Sequence, residues 1–177
     1  MASAEVKLLF TGPPGVGKTT AIAAISDSAP VNTDVAATDD LARVKEKTTV
    51  AMDYATLTLD DGSQLGLYGT PGQERFEFMW KILAQGALGL VILVDASAVD
   101  SAKQLEYYLD AFVDPANKIC MIVGINKAEP GEDLSRFDNV ITAKGIVIPT
   151  MAVDVRQQDD VRLLVDVLLS TIEFSSP

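Results

Sequence analysis

Apolar runs of strand length alternate along the chain with stretches of helical periodicity. The runs are almost continuously apolar, which is typical of parallel strands that are buried on both faces. The predicted strands cover 5–11, 49–60, 63–69, 87–95, 118–125 and 145–151, and the predicted helices cover 18–28, 74–86, 99–113 and 157–173. A polar connection, 29–47, separates the first helix from the second strand. This order predicts an α/β fold with helices on both faces of the sheet.

One pair of strands breaks this alternation. Two short apolar stretches flank Asp60-Asp61-Gly62-Ser63, and Asp-Gly supplies the positive φ angles of a tight hairpin turn. The pattern therefore predicts a mixed six-stranded sheet with one antiparallel edge strand. The chain has 177 residues and shows no repeat or linker, so we expect one domain over 1–177.

The segment between the first strand and the first helix carries the chemistry. It fits the phosphate-loop pattern G-x-x-x-x-G-K-[ST] at every fixed position. Loop N–H groups and the helix N-terminus are predicted to surround nucleotide phosphates, with Lys18 on the β/γ oxygens and Thr19 on Mg²⁺. The predicted nucleotide-binding residues here are Gly12, Pro13, Pro14, Gly15, Val16, Gly17, Lys18, Thr19 and Thr20.

Composition excludes several other classes of function. The 25 acidic and 14 basic residues give a net charge of −11, which disfavours nucleic acid and anionic lipid as partners. The chain contains no histidine, which excludes His-dependent triads and His-containing zinc sites. We found no secretory leader, lipidation motif or membrane-spanning apolar stretch, so the expected location is cytoplasmic, without a direct membrane anchor.

Four further segments follow the phosphate loop at ordered spacing. They are Thr48-Thr49, Tyr68-Gly69-Thr70-Pro71-Gly72-Gln73-Glu74, Asn126-Lys127-Ala128-Glu129 and Asp154-Val155-Arg156. Together with the loop, they resemble the motifs of the Ras-like small GTPases from residue 6 to about residue 170. The likeness extends to the bacterial branch that includes the gliding-motility polarity GTPase and the conservon-encoded GTPases, and more distantly to Arf and signal-recognition-particle receptor beta.

The resemblance implies a P-loop G domain that binds GTP and GDP with Mg²⁺ and hydrolyses GTP slowly. It implies switch regions near 30–50 and 69–82, an activating protein of the Roadblock type, and an effector. Thr49, or its neighbour Thr48, would be the switch threonine on Mg²⁺, Gly72 would bind the γ-phosphate, and Gln73 would orient water. The implied guanine-binding residues are Asn126, Lys127, Glu129, Asp154, Val155 and Arg156.

Three positions depart from the family pattern. Gly69 stands where the family usually has an aspartate that holds a water on Mg²⁺. The hairpin turn places Asp53 within about one residue of facing Gly69, so Asp53 either replaces that carboxylate or is a solvated strand residue. Glu129 replaces the aspartate that accepts hydrogen bonds from guanine, which makes discrimination against adenine less certain. Pro14 replaces a loop glycine and narrows the space for an incoming arginine.

The sequence is also compatible with two alternative functions. The phosphate loop also looks like that of AAA-type ATPases, although Asp95 is followed by Ala96 and not by the glutamate such ATPases need. A GTP-binding module without hydrolysis is compatible with Gly69 and Pro14.

Some residues near the switches also have two readings. Arg43 and Arg75 are either internal arginine fingers or solvated surface arginines. Four residues after Gln73 cannot all face the core of one helix, so part of this set is either exposed for a partner or packed in the ordinary way. They are Phe76, Phe78, Met79 and Trp80.

Overall fold

The computed structural model describes residues 6–34, 51–114 and 118–175. The strands are β1 (Val6–Thr11), β2 (Val31–Asp34), β3 (Ala51–Thr58), β4 (Gln64–Gly69), β5 (Ala87–Asp95), β6 (Cys120–Asn126) and β7 (Thr150–Val153). The helices are α1 (Lys18–Ile25), α2 (Glu77–Ala84), α3 (Ser101–Phe112), α4 (Ser135–Ala143) and α5 (Gln158–Ser175), and a 3₁₀ turn, Glu74–Phe76, precedes α2.

The strands form one sheet in the order β2-β3-β4-β1-β5-β6-β7. β1 pairs in parallel with β4 and β5, and β6 pairs in parallel with β5 and β7. β3 is antiparallel to both of its neighbours. The predicted mixed α/β sheet with one antiparallel strand is therefore confirmed.

The prediction of six strands, with the antiparallel strand at the edge, needs a correction. β2 lies outside β3 and makes the sheet seven-stranded. Sequence patterning missed β2 because it lies within the polar connection 29–47. An edge strand needs only backbone hydrogen bonds to one neighbour, and these do not depend on an apolar run.

In two segments near the C-terminal end, the structure also differs from the prediction. The last strand begins at Thr150 and not at residue 145, and Val147, within the predicted strand, is 100% exposed. Helix α4 lies in a segment for which we predicted no element. Its buried residues Phe137 and Ile141 are four positions apart, which places both on one face of the helix.

Alternate side chains of β1 enter two separate cores, as the period of a strand requires. Leu9 packs with residues of α2, α3 and α4 on one face of the sheet. Leu8 and Phe10 pack with residues of α1 and α5 on the other face. All three side chains are fully buried, and each burial contributes about 1.5–3 kcal/mol.

The hairpin between β3 and β4 sets the register that matters for the site. Leu59 N–H donates to the Ser63 carbonyl at 2.8 Å, and within the turn only Gly62 has a positive φ, +83°. The resulting register places Asp53 opposite Gly69, as the turn predicted.

The carboxyl ends of the parallel strands β1, β4, β5, β6 and β7 lie at one edge of this sheet, and the sequence motifs follow four of them. Ligands of open α/β sheets bind at this edge. None of the helices in the described ranges is both long and apolar enough to cross a bilayer.

Candidate functional site

The phosphate loop joins the end of β1 to the start of α1. Gly12, Gly15 and Gly17 all have positive φ angles, 145°, 75° and 108°, which side chains rarely adopt. A Cβ at Gly12 would collide with the Leu93 carbonyl, and one at Gly17 would lie 2.8 Å from Cγ2 of Val155. The loop therefore depends on its glycines for both backbone conformation and packing.

Lys18 is almost buried beneath this loop, with 9% of the residue exposed. Its ammonium donates hydrogen bonds to the carbonyls of Gly12 at 2.7 Å and Pro13 at 2.9 Å. Burial lowers the pKa of Lys18 to about 8, and the charge of Asp53 opposes this shift. A buried ammonium held by neutral carbonyls would gain strongly from a bound anion.

Asp53 reaches the first turn of α1 from the antiparallel strand. The Thr19 hydroxyl donates a hydrogen bond to Oδ2 of Asp53. A Cβ at Gly69 would lie 3.2 Å from both Cβ and Oδ2 of Asp53, so the carboxylate lies beside the position that Gly69 leaves without a side chain. Of the two readings of Asp53, the geometry favours a site residue over a solvated strand residue.

Thr19 and Asp53 offer hard oxygen donors, which Mg²⁺ prefers. Among residues 6–34, 51–114 and 118–175, no three His, Cys, Asp or Glu side chains cluster as a metal site. Mg²⁺ in nucleotide sites is commonly held by one or two protein groups together with phosphates and water, so this small donor set fits that ion.

The segment after β4 packs directly on the phosphate loop. A Cβ at Gly72 would lie 2.7 Å from the Pro14 nitrogen and 2.8 Å from Nζ of Lys18. The next residue, Gln73, is exposed and lines a cleft of about 450 Å³ with Pro13 and Pro14. The geometry therefore brings Gly72 and Gln73 beside the phosphate loop, and their roles toward a phosphate and a water stay predictions.

Asn126 ties two loops together at the other end of the site. Its amide Nδ2 donates to the Val16 carbonyl at 3.0 Å, and its Oδ1 accepts from the Val155 N–H at 3.4 Å. Asn126 is 4% exposed. The phosphate loop, the Asn126 segment and the Val155 segment are thus joined through a single buried amide.

A shallow cleft of about 420 Å³ lies beside this amide, and the side chains around it form ion pairs. Lys127, whose φ is +59°, contacts the Asp95 carboxylate at 2.5 Å. Arg156 donates two side-chain hydrogen bonds to Asp154, and these hold the pKa of Asp154 at about 2. Glu129 is exposed at the rim of the cleft.

Sequence reasoning missed two carboxylates that support this cleft. Asp95 ends β5 and accepts hydrogen bonds from the Lys127 ammonium and from the Ser97 N–H. Asp160, in the first turn of α5, accepts from the Asp154 N–H at 2.8 Å. An aspartate at the end of a buried strand was the available signal for Asp95; nothing local in the sequence indicated Asp160.

The remaining predicted residues either lie outside the described ranges or are exposed on the surface. Thr48, Thr49 and Arg43 lie outside the described residues. The guanidinium of Arg75 lies 4.7 Å from the centre of the Phe76 ring, and Arg75 is exposed, which favours the reading of a surface arginine. Thr20 is also exposed, in the first turn of α1.

Comparison with known proteins gives the family. Residues 31–174 match the profile of a family described as conserved hypothetical ATP-binding proteins. The chain belongs to this family. The matched range begins after the phosphate loop, so the family match does not include Gly12 to Thr19.

The relatives of this chain include an uncharacterized archaeal protein and several Ras-related proteins. An uncharacterized protein of Methanocaldococcus jannaschii is 32% identical over 149 residues, which cover 83% of this chain and 86% of that protein. Ras-related protein Rab-1C of Dictyostelium discoideum is 28% identical over 130 residues, which cover 70% of this chain but 58% of Rab-1C. Ras-related protein Rab-18-B of Danio rerio is 22% identical over 173 residues, 94% of this chain and 78% of Rab-18-B. These findings support a Ras-like nucleotide-binding P-loop protein.

Proposed function

We propose that this protein is a guanine-nucleotide-binding switch that binds GTP and GDP, slowly hydrolyses GTP to GDP and phosphate, and controls a partner through segments near 30–50 and 69–82. The observation that carries the proposal is the packing of Gly72 against Lys18 and Pro14. It couples the phosphate end of the site to the segment that leads into α2. Similarity to Ras-related proteins supports the same proposal.

Phosphoryl transfer needs fixed phosphates, neutralised charge and a water held in line. Lys18 and the loop N–H groups would bind the phosphates, and Thr19 and Asp53 would hold Mg²⁺, which neutralises developing charge when it is bound. Gln73 is exposed at the phosphate end and would orient the attacking water. We propose Thr49, or else Thr48, as the switch threonine from the family resemblance alone.

Base recognition is proposed for the cleft beside Asn126. Asn126 keeps the loops together, and Lys127 and Arg156 line the cleft in ion pairs with Asp95 and Asp154. The exposed carboxylate of Glu129 is free to approach the donors of a guanine edge.

An ATPase is the second candidate, and the description of the family as ATP-binding is the observation in its favour. The third candidate is a module that binds GTP without hydrolysing it, and the residues in its favour are Gly69 and Pro14. Gly69 is weaker evidence for a module without hydrolysis, because Asp53 lies opposite Gly69 and contacts Thr19, and so can supply the carboxylate that Gly69 lacks.

The partner surface is proposed to lie on α2. Met79 is 4% and Trp80 0% exposed, whereas Phe78 is 48% exposed. The four apolar residues after Gln73 therefore divide between core and surface, as expected from their spacing. We propose that Phe78 contacts an effector or an activating protein of the Roadblock type, which the likeness to the bacterial branch implies.

The first experiment is displacement of fluorescent GDP by GTP, GDP and ATP, each with Mg²⁺ and with EDTA. We expect GTP and GDP to compete in the presence of Mg²⁺ and ATP to compete poorly. Lys18→Ala should weaken binding by about 100-fold or more, because charged hydrogen bonds contribute roughly 1.5–3 kcal/mol each. Lys81→Ala, which changes an exposed lysine of α2, is the matched control.

Turnover is then measured as phosphate released from bound GTP in a single turnover. Equal affinity for ATP and GTP would support the ATPase instead. Tight GTP binding without any release of phosphate, even with a cognate activator, would support the binding module.

A further inference from the structure

Two consecutive carbonyls after β4 are held by aromatic side chains from two different helices. Nε1 of Trp80, on α2, donates a hydrogen bond to the Pro71 carbonyl at 2.8 Å. The hydroxyl of Tyr108, on α3, donates to the Gly72 carbonyl at 3.1 Å. The peptide units on both sides of the Gly72 Cα therefore have fixed carbonyls.

Fixing a carbonyl also fixes the N–H of the same peptide unit. In a planar trans peptide the C=O and N–H bonds point in opposite directions. The bond from Trp80 therefore directs the Gly72 N–H away from the indole, and the bond from Tyr108 directs the Gln73 N–H away from the phenol. The Gly72 Cα lies against Pro14 and Lys18 of the phosphate loop, so the two peptide units that meet at this atom border the end of the site where the phosphates are proposed to bind.

The two aromatic rings have little freedom to move. Trp80 is 0% and Tyr108 3% exposed, and their rings stack at 4.9 Å with an interplanar angle of 25°. The indole also stacks on Phe112 at 5.9 Å. Burial raises the pKa of Tyr108, so its hydroxyl stays protonated as a donor. Two buried, stacked core residues thus hold the two loop carbonyls.

We propose that Trp80 and Tyr108 are positioning residues that orient the Gly72 and Gln73 peptide units toward the γ-phosphate. The inference rests on the nucleotide-binding function proposed above, and it adds that recognition of the third phosphate depends on core residues of α2 and α3. Its consequence is selective: losing the Tyr108 hydroxyl weakens ligands that carry a γ-phosphate and leaves diphosphates unaffected.

The test compares Tyr108→Phe with Tyr107→Phe. The Tyr107 hydroxyl donates its hydrogen bond to Oε2 of Glu77 on α2, at 2.8 Å, and not to a loop carbonyl, so its removal controls for the loss of a neighbouring phenol. Affinities for GDP and for the slowly hydrolysed analogue GTPγS are measured with Mg²⁺, together with single-turnover phosphate release from GTP. ADP and ATPγS are measured in parallel, so that a preference for adenine still permits the comparison.

We expect Tyr108→Phe to bind the triphosphate analogue about 3- to 10-fold more weakly and to release phosphate more slowly, with diphosphate affinity unchanged. Tyr107→Phe should retain all three values. Equal losses for diphosphate and triphosphate, or no loss relative to Tyr107→Phe, would overturn the inference and leave the proposed function standing. Failure of the unmodified protein to bind any of the four nucleotides would refute the proposed function itself, and this inference with it.

Discussion

Replacing Asp53 tests the proposal that its carboxylate acts on Mg²⁺ in place of the aspartate that Ras-like small GTPases usually have at the position of Gly69. Asp53→Asn keeps the size of the side chain and removes its charge. Asp53 lies opposite Gly69 and accepts a hydrogen bond from Thr19, so we expect it to act on Mg²⁺ directly or through a water. The substitution should therefore change the magnesium dependence of nucleotide binding and leave binding in EDTA largely unaffected.

The expected magnitude follows from the position of this carboxylate. Groups that orient metal ligands typically contribute 10- to 100-fold to metal affinity, or about 1.4–2.8 kcal/mol. Two unit charges 4 Å apart interact by about 4 kcal/mol at an effective dielectric constant of 20, so this range is physically accessible. We expect Asp53→Asn to need 10- to 100-fold more Mg²⁺ for half-maximal tightening of GDP binding.

The assay is a magnesium titration of fluorescent-GDP affinity. Asp61→Asn, which removes a carboxylate from the hairpin turn, is the matched control. The double variant Asp53→Ala/Gly69→Asp moves the carboxylate across the strand pair into the space that Asp53 leaves, and it should recover most of the magnesium dependence. An unchanged titration for Asp53→Asn would refute the reasoning. Failure of the double variant, despite normal folding, would show that the position of the carboxylate and not its presence is decisive.

Three further predictions concern other parts of the site. The pKa of Lys18 is about 8 without ligand, and a bound phosphate favours the charged form of this side chain. Nucleotide affinity, measured by calorimetry, should therefore be constant below pH 8 and fall by up to tenfold between pH 8 and 9. An affinity that does not change up to pH 9.5 would contradict this prediction. Glu129→Ala should weaken GDP and GTP by at least about tenfold and reduce the preference over ATP, as measured by displacement, with Asp159→Ala, which removes an exposed carboxylate from the first turn of α5, as a control for loss of negative charge. Gln73→Leu should bind GTP normally and hydrolyse it more slowly, most visibly with an activating protein, and equal single-turnover rates at saturating activator would move catalysis away from Gln73.

Local signals predicted the parts of the fold that depend on short-range geometry. The Asp-Gly turn fixed the pairing of Asp53 with Gly69, because a hairpin's register follows from its turn. The buried strands were found because parallel strands covered on both faces are almost continuously apolar. β2 was missed because an edge strand requires no such composition, and helix α4 was missed because its two buried residues are a weak signal.

The site was predictable where a motif specifies backbone conformation and less so where distant side chains meet. The phosphate-loop motif agrees with the positive φ angles of Gly12, Gly15 and Gly17, and a side chain at Gly72 would collide with the loop. The pairing of Lys127 with Asp95 joins residues 32 positions apart, and the bond from Tyr108 to Gly72 spans 36. Such contacts depend on the packing of whole elements, which no local pattern encodes.

The buried ammonium of Lys18 has a consequence for how long the protein persists in a cell. Its pKa falls from 10.5 to about 8 on folding, so the unfolded chain binds this proton more tightly. The resulting destabilisation is fully present below pH 8 and disappears as the pH rises past 10.5. A ligand at 1,000 times its dissociation constant stabilises a fold by about 4 kcal/mol, which outweighs such a penalty. The concentration of free nucleotide would then set the protein's susceptibility to proteolysis, and its abundance would fall when that concentration drops.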